Sequence, residues 1–378
     1  MTSPIWFNRP AVTGRELEYM RQALEAATIS GDGPFTRRCH ALIEQIVGAR
    51  KALLTTSCTH ALEMAALLLD LRPGDEVICP AFTFVSTINA FVLRGARPVF
   101  VDVRADTLNL DERLLAGAIT PNTKAIVVVH YAGVACDMDA ILAIARPRGI
   151  AVVEDNAHGL LGRYKGRPLG SMGVFATLSF HETKNITCGE GGALVVNDDQ
   201  FVARAEIIRE KGTNRTRFFR GEVDKYTWVD VGSSYLPSDL LAAFLQAQLE
   251  CRDAIQSRRH QIWAQYNSAL RHWAMAAGAR LPIVPPDCDQ PAHLFYLLMP
   301  SLDARTALIA HLRSRQILAV FHYQPLHLSD MGRGYGGRAG QCPVTEDVAD
   351  RLVRLPLYYQ LSPEDQQRVI EAVTSLPA

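Results

Sequence analysis

Between residues 51 and 198 short apolar, β-branched runs alternate with stretches whose apolar positions recur every three or four residues. The runs at 51–55, 76–78, 98–103, 124–129 and 150–154 read as strands, and the intervening 59–71, 86–94, 111–119 and 138–146 read as helices. Strand, helix, strand at this spacing predicts a mostly parallel sheet covered on both faces. The run Ala125-Ile-Val-Val-Val129 shows no polar alternation, as expected of a strand buried on both sides. In such sheets ligands sit beyond the carboxyl ends of the strands, so the residues that follow each run are the ones to inspect.

Two further runs, 174–180 and 193–197, follow with little helix between them and predict a mixed sheet edge. From 237 to 274 the spacing turns helical, with Leu240, Leu241, Phe244, Leu245 and Leu249 on one stripe. The remainder reads as a strand at 293–299, a helix at 303–315, a strand at 317–322 and a last helix from Ser362, where Ser-Pro-Glu-Asp supplies a cap and a first-turn proline. The expected architecture is α/β, with a large domain over 1–248 and a smaller C-terminal α+β domain over 249–378.

Length and composition narrow this further. A chain of 378 residues, 48% hydrophobic and 21% charged, suits a soluble protein with two cores. No apolar run reaches the roughly 20 residues that cross a bilayer. Lys plus Arg equals Asp plus Glu at 39 each, so the summed field offers no general attraction for nucleic acid or an anionic membrane, and any anion site must be local. The eight cysteines lack paired short spacings, which suggests neither a metal site nor a disulfide framework. Reduced thiols, and a first segment without the basic-then-apolar order of a signal peptide, lead to the expectation of a cytoplasmic protein.

Three segments at strand ends carry candidate chemistry. Thr55-Thr-Ser-Cys-Thr-His-Ala61 is a hydroxyl-rich turn leading into a helix, whose first N–H groups and positive dipole end can hold a phosphate; read alone, Ser57 is better taken as a helix cap. Ile150-Ala-Val-Val-Glu-Asp-Asn-Ala-His158 places Asp155 at the end of a buried strand, where a carboxylate can pair with a protonated pyridine nitrogen. The alternative is a turn cap, or a metal held with Glu154 and His158, although adjacent strand residues point to opposite faces. Leu178-Ser-Phe-His-Glu-Thr-Lys-Asn-Ile-Thr-Cys-Gly-Glu-Gly-Gly192 sets Lys184 beside a glycine-rich loop. A desolvated lysine loses proton affinity and can condense with an aldehyde. Phosphate cradle, ring-nitrogen carboxylate and reactive lysine, with Ser179 as a further hydroxyl, are the handles that pyridoxal phosphate requires.

Ser179-Phe-His-Glu-Thr-Lys184-Asn, followed by Gly189-Glu-Gly-Gly-Ala193 and preceded by Glu154-Asp155-Asn-Ala-His158-Gly, resembles the sugar aminotransferases of the fold-type-I pyridoxal-phosphate class. The likeness extends along most of the chain through Ser30-Gly-Asp-Gly-Pro34, Phe82-Thr-Phe-Val-Ser-Thr87, Tyr323-Gln-Pro-Leu-His327 and Leu355-Pro-Leu-Tyr358. Ser57-Cys-Thr, His130-Tyr-Ala-Gly-Val-Ala-Cys136, Glu210-Lys-Gly-Thr-Asn-Arg215 and Lys225-Tyr-Thr-Trp228 are most similar to the branch that acts on TDP-4-keto-6-deoxyglucose and makes TDP-4-amino-4,6-dideoxygalactose.

The resemblance implies that Lys184 holds the cofactor covalently, that Asp155 pairs with its ring nitrogen, that His158 lies near the ring hydroxyl and that Phe84 stacks on the ring. It implies a phosphate site from Ser57, from the backbone N–H groups of Thr59 and His60, and from Ser179. Ser234 stands where many relatives carry an Asn that reaches the partner subunit's phosphate, and Asn156 stands where a smaller residue is commoner. His322, Tyr323 and His327 match a loop that faces the sugar and the amino donor. An acceptor diphosphate needs local cations, for which Arg9, Lys211, Arg215, Arg220 and Lys225 are candidates, each equally readable as a solvated rim charge. The implied partners are a nucleotide-linked keto-sugar, L-glutamate and a second copy of the chain in a homodimer, and the implied reaction is a ping-pong transamination. The alternatives are transamination at another sugar carbon, a different pyridoxal-phosphate reaction, or a protein that binds cofactor or nucleotide-sugar without turnover. No strand is followed by G-x-G-x-x-G, which disfavours a dinucleotide enzyme.

Overall fold

The apolar runs pair into one seven-stranded sheet: β1 (Lys51–Thr55), β2 (Glu76–Pro80), β3 (Arg97–Val101), β4 (Thr123–Val129), β5 (Ala151–Asp155), β6 (Phe175–Ser179) and β7 (Gly192–Val196). Their order is β1-β7-β6-β5-β4-β2-β3. This computed structural model describes residues 3–376. Neighbouring strands from β3 to β6 are parallel, whereas β7 runs antiparallel to both β6 and β1. The carboxyl ends of β1, β4, β5 and β6 therefore open on one edge, which is where a doubly covered sheet presents its ligand site.

Alternate residues of each strand feed opposite faces. Leu53, Val127, Val153 and Leu194 pack with the helix Cys58–Leu68, while Leu54, Ala176, Leu178 and Val195 pack with Pro34–Val47 and Asp239–Glu250. The short helix Ser86–Val92 joins the first of these layers.

A second core surrounds the antiparallel pair β8 (Phe295–Leu298) and β9 (Leu352–Leu355), with Tyr266, Leu308 and Val369 supplied by the helices Arg252–Ala269, Leu302–Ser314 and Pro363–Thr374. The division expected at 248/249 falls in the last turn of Asp239–Glu250, and Cys251 separates that helix from the next. Ile5 crosses to this second core and bridges Ile317.

Three local expectations need correction. Residues 317–322 do not form a strand: they make only the single bridges Ile5↔Ile317 and Val320↔Arg354, because no continuous partner lies alongside. The stretch 111–119 is not one helix but a 3₁₀ turn at Glu112–Leu114 followed by one helical turn at Leu115–Ala118. The helical stretch 237–274 is likewise divided, at Cys251 and again before Arg271–Ala276. Two N-terminal helices, Glu16–Glu25 and Pro34–Val47, were not anticipated. Among the described residues no helix is long and apolar enough to cross a membrane.

Candidate active site

The site is built at the strand ends, beginning with the turn after β1. Ser57 is extended and caps the helix Cys58–Leu68, its Oγ accepting the N–H of His60 at 3.1 Å. That uses one of the four N–H groups that a helix start leaves unpaired, and the N–H groups of Cys58 and Thr59 lie outside the helical ladder. The backbone of β7 presses against this turn: a Cβ on Gly192 would stand 2.3 Å from the Ser57 carbonyl carbon and 2.4 Å from the Cys58 nitrogen. Only glycine lets the sheet support the turn so closely.

The acid comes from β5, in register between Val129 of β4 and Thr177 of β6. Asp155 accepts the Thr87 hydroxyl at 2.7 Å and the Ala157 N–H at 3.2 Å. Burial raises its carboxyl above the ordinary value, opposed by these two donors and by Lys184. A protonated ring nitrogen would supply the missing counter-charge. Its neighbour Glu154 points through the other face, where it pairs with His130 Nε2 at 2.9 Å and accepts the N–H groups of Gly170, Met172 and Gly173. The two carboxylates therefore do not converge, and a metal site shared by Glu154, Asp155 and His158 is ruled out by the strand geometry.

The amine comes from the loop between β6 and β7. Its feet are tied by Phe180 N–H to the Gly191 carbonyl at 2.8 Å, by Glu182 N–H to Gly189 at 2.8 Å and by Cys188 N–H to Phe180 at 2.9 Å. Asn185 fastens it outward, donating to the Pro291 carbonyl at 2.7 Å. Lys184 lines the same cavity as Asp155, and burial lowers its ammonium below the ordinary value while Cys58 and Asp155 pull it back. The nearby Cys58 thiol is pushed up to about 12 by burial and is no competing nucleophile at neutral pH.

The cavity has a volume of about 690 Å³, ample for a phosphorylated pyridine and a small substrate. Its far wall includes three imidazoles: the ring of His158 lies 4.3 Å from that of His293 and 6.2 Å from that of His322, centre to centre. Burial holds all three well below the ordinary histidine value. The Ala132 N–H donates to His158 Nδ1 at 3.3 Å, which leaves the proton of the neutral ring on Nε2. His293 Nδ1 meets Asn185 Oδ1 at 3.0 Å, so it carries the proton there and presents a bare Nε2.

Of the residues singled out from sequence, Ser57, Thr59, Phe84, Asp155, His158, Ser179, Lys184, His322 and Tyr323 line this one cavity. Others do not. The His60 backbone N–H is taken by Ser57 and its ring Nδ1 meets the Thr56 hydroxyl, so the backbone donor expected for a phosphate is already used. His327 is turned away, its buried ring pairing with Glu346 at 2.9 Å. Arg9 lies over the Tyr358 ring, Arg215 pairs with Glu210 and Arg220 with Glu206, while Lys211, Lys225 and Ser234 are exposed outside the cavity of their own chain. Sequence reasoning missed His293 and Arg354. The signal for Arg354 was a lone charge inside the apolar run Leu352-Val-Arg-Leu355.

Comparison with known proteins agrees with this geometry. Residues 10–374 match the DegT/DnrJ/EryC1/StrS aminotransferase family. The structure is similar to the aminotransferase TlmJ of Streptoalloteichus hindustanus, at 30% identity and a TM-score of 0.90, covering 99% of this chain and 98% of that one. It is also similar to Spr1654 of Streptococcus pneumoniae in its PMP form, at 28% identity, TM-score 0.92 and 98% of each chain. DesV of S. venezuelae, solved in complex with a ketimine intermediate, gives 31% identity, TM-score 0.89, and 99% and 98% coverage. The family match spans elements of both cores and all of the cavity lining except Phe7 and Asn8, and the chain belongs to the DegT/DnrJ/EryC1/StrS aminotransferase family.

Proposed function

We propose that this protein is a pyridoxal-phosphate-dependent aminotransferase acting on a nucleotide-linked 4-keto-6-deoxy sugar, TDP-4-keto-6-deoxyglucose, with L-glutamate as amino donor. The observation that carries the reading is the shared cavity of Lys184 and Asp155, a desolvated amine and a buried carboxylate without a cationic partner in hydrogen-bond contact. Bound there, the cofactor supplies an aldehyde that takes up the amino group and a ring that draws electrons from the carbon losing its proton.

The chain's own groups do the rest. The N–H groups of Cys58 and Thr59 and the hydroxyls of Ser57 and Ser179 would hold the cofactor phosphate, and the exposed ring of Phe84 would cover the pyridine. His158, protonated on Nε2, would donate to the ring hydroxyl. Lys184 Nζ would hold the cofactor at its aldehyde carbon and, as a free amine, would take up the proton leaving the donor carbon and give it back. Its lowered proton affinity suits it to both steps. His322 and Tyr323 face the sugar.

The proposal includes a homodimer. Phe219, Tyr226, Trp228, Val229 and Val231 leave large apolar surfaces exposed on one segment, and Lys211, Arg215 and Lys225 lie on or beside it. A second copy seated on that segment would bury it and bring those cations, with Ser234, to the neighbouring cavity.

The experiment is borohydride reduction of the cofactor-loaded protein, peptide mapping, and measurement of 2-oxoglutarate formed from glutamate with the keto-sugar. Label on Lys184 and stoichiometric 2-oxoglutarate are expected. Label elsewhere, or binding without 2-oxoglutarate, overturns the assignment in favour of a non-catalytic binding protein.

A further inference from the structure

Arg354 sits on β9 between Val353 and Leu355, both buried in cores, and among the described residues it is the one arginine lining the cavity that holds Lys184. It lies over the ring of Phe7, 4.6 Å from the ring centre, and Nη2 donates to the Phe321 carbonyl at 3.1 Å. Its Nε is shielded from solvent and has no acceptor. Two fully buried arginines have stronger partners: Arg209 reaches Asp32 at 2.7 Å and the Leu54 carbonyl at 2.7 Å, with one Nη left without an acceptor, and Arg259 reaches the carbonyls of Ala292 and His293. Among the described residues no Asp or Glu lies within ion-pair distance of Arg354, and the groups that face it are the phenols of Tyr131 and Tyr323, the neutral imidazoles and the Lys184 amine. A half-buried cation at a cavity wall, with its Nε shielded and no counter-charge beside it, is best satisfied when an anion arrives with the ligand.

We propose that Arg354 is the anchor for the carboxylate next to the amino group of the donor. The inference rests on the aminotransferase reading and goes beyond it by assigning the donor subsite. A guanidinium presents a planar fork that matches a carboxylate with two parallel N–H···O bonds. That carboxylate is one carbon from the nitrogen to be transferred, so its anchor must share the cavity of Lys184, as Arg354 does. The diphosphate of a sugar acceptor lies several bonds from its keto carbon and belongs further out, where Lys211 and Lys225 are exposed.

The test uses the borohydride-reduced holoprotein, which cannot turn over, titrated by calorimetry with glutarate as a dead-end dicarboxylate and separately with TDP. Arg354→Met should weaken glutarate binding about 10- to 100-fold, the loss of one charge-assisted pair. Arg354→Lys, which keeps the charge and loses the fork, should recover part of it, and TDP affinity should be unchanged in both. In the unreduced enzyme the KM for glutamate should rise by a similar factor while the KM for keto-sugar holds. Glutarate affinity unchanged in Arg354→Met, no glutarate binding by the wild-type protein, or a fall in TDP affinity instead overturns the assignment. A wild-type enzyme that makes no 2-oxoglutarate would sink the proposed function separately. Should Arg354→Met not fold, Arg354→Lys with the same pair of titrations decides.

Discussion

Adding one methyl group at Gly192 tests whether the sheet supports the phosphate end of the site. A Cβ there would meet the carbonyl carbon and oxygen of Ser57 at 2.3 and 2.5 Å and the Cys58 nitrogen at 2.4 Å. Ordinary contact distance is about 3.5 Å, so the turn or β7 must retreat by about 1 Å. All three atoms are backbone, and no side-chain rotation can relieve the clash. Gly192 is also fixed in register, paired with Thr55 on one side and Ser179 on the other. The turn is therefore what moves, at an overpacking cost of about 1–3 kcal/mol. Displacing the first N–H groups of the helix weakens their bonds to a phosphate, and losing one such bond to a charged group is worth about 10- to 100-fold in affinity. Gly192→Ala should lower the Tm by a few degrees and raise the Kd for pyridoxal phosphate by that factor, read by absorbance titration of the apoprotein. Gly117→Ala, where a Cβ meets nothing within 4 Å, is the control and should change neither. Wild-type cofactor affinity in Gly192→Ala would show that the turn after β1 does not hold the phosphate.

Asp155→Asn keeps the shape and the Thr87 contact but removes the charge facing the ring nitrogen; turnover should fall about 100- to 1000-fold while cofactor affinity changes less than tenfold, and equal losses in both would contradict the role assigned. A second expectation concerns stability. Because His158, His293 and His322 have folded pKa values held below the ordinary 6.5 by burial, the unfolded chain binds more protons as pH drops. Their contribution is complete above about pH 6.5 and is lost as pH falls toward the folded values. The denaturant midpoint of the apoprotein should be level from pH 8 to 7 and decline below 6.5, and His293→Gln should make the decline shallower; an unchanged slope would assign the acid sensitivity to other groups.

Much of the sheet was legible because its strands are uniformly apolar and the helices between them keep a steady period. Lys184 and Asp155 were legible because each stands at the end of such a run, where side chains leave the core. What escaped had a non-local cause. Residues 317–322 have the composition of a strand, but a strand needs a partner, and only Ile5 and Arg354 make bridges there. The helix Pro34–Val47 did announce itself, with proline in its first turn and Gly48 ending it at a φ of 74°, yet no element was assigned over 16–47. His327 follows the same local motif as Tyr323, but the 3₁₀ turn Leu326–Leu328 carries it toward Glu346. Arg354 stood out in sequence only as a charge within an apolar run, and its place beside Lys184, like that of His293, emerges when segments from both cores are brought around one cavity.

The hairpin that carries Lys184 stands with both feet on inner strands, so it cannot swing without breaking ladder bonds to β5 on one side and β1 on the other. It behaves as an anvil: the amine waits at a fixed address whether or not anything occupies the space in front of it. Passage of a bulky sugar in and out must then be accommodated by the opposite wall, Phe7 and Asn8 from the chain's first residues and the pair His322 and Tyr323, none of which belongs to the sheet. Exchange of one acceptor for another in this fold is accordingly a matter of rebuilding that outer wall while the reactive half stays untouched.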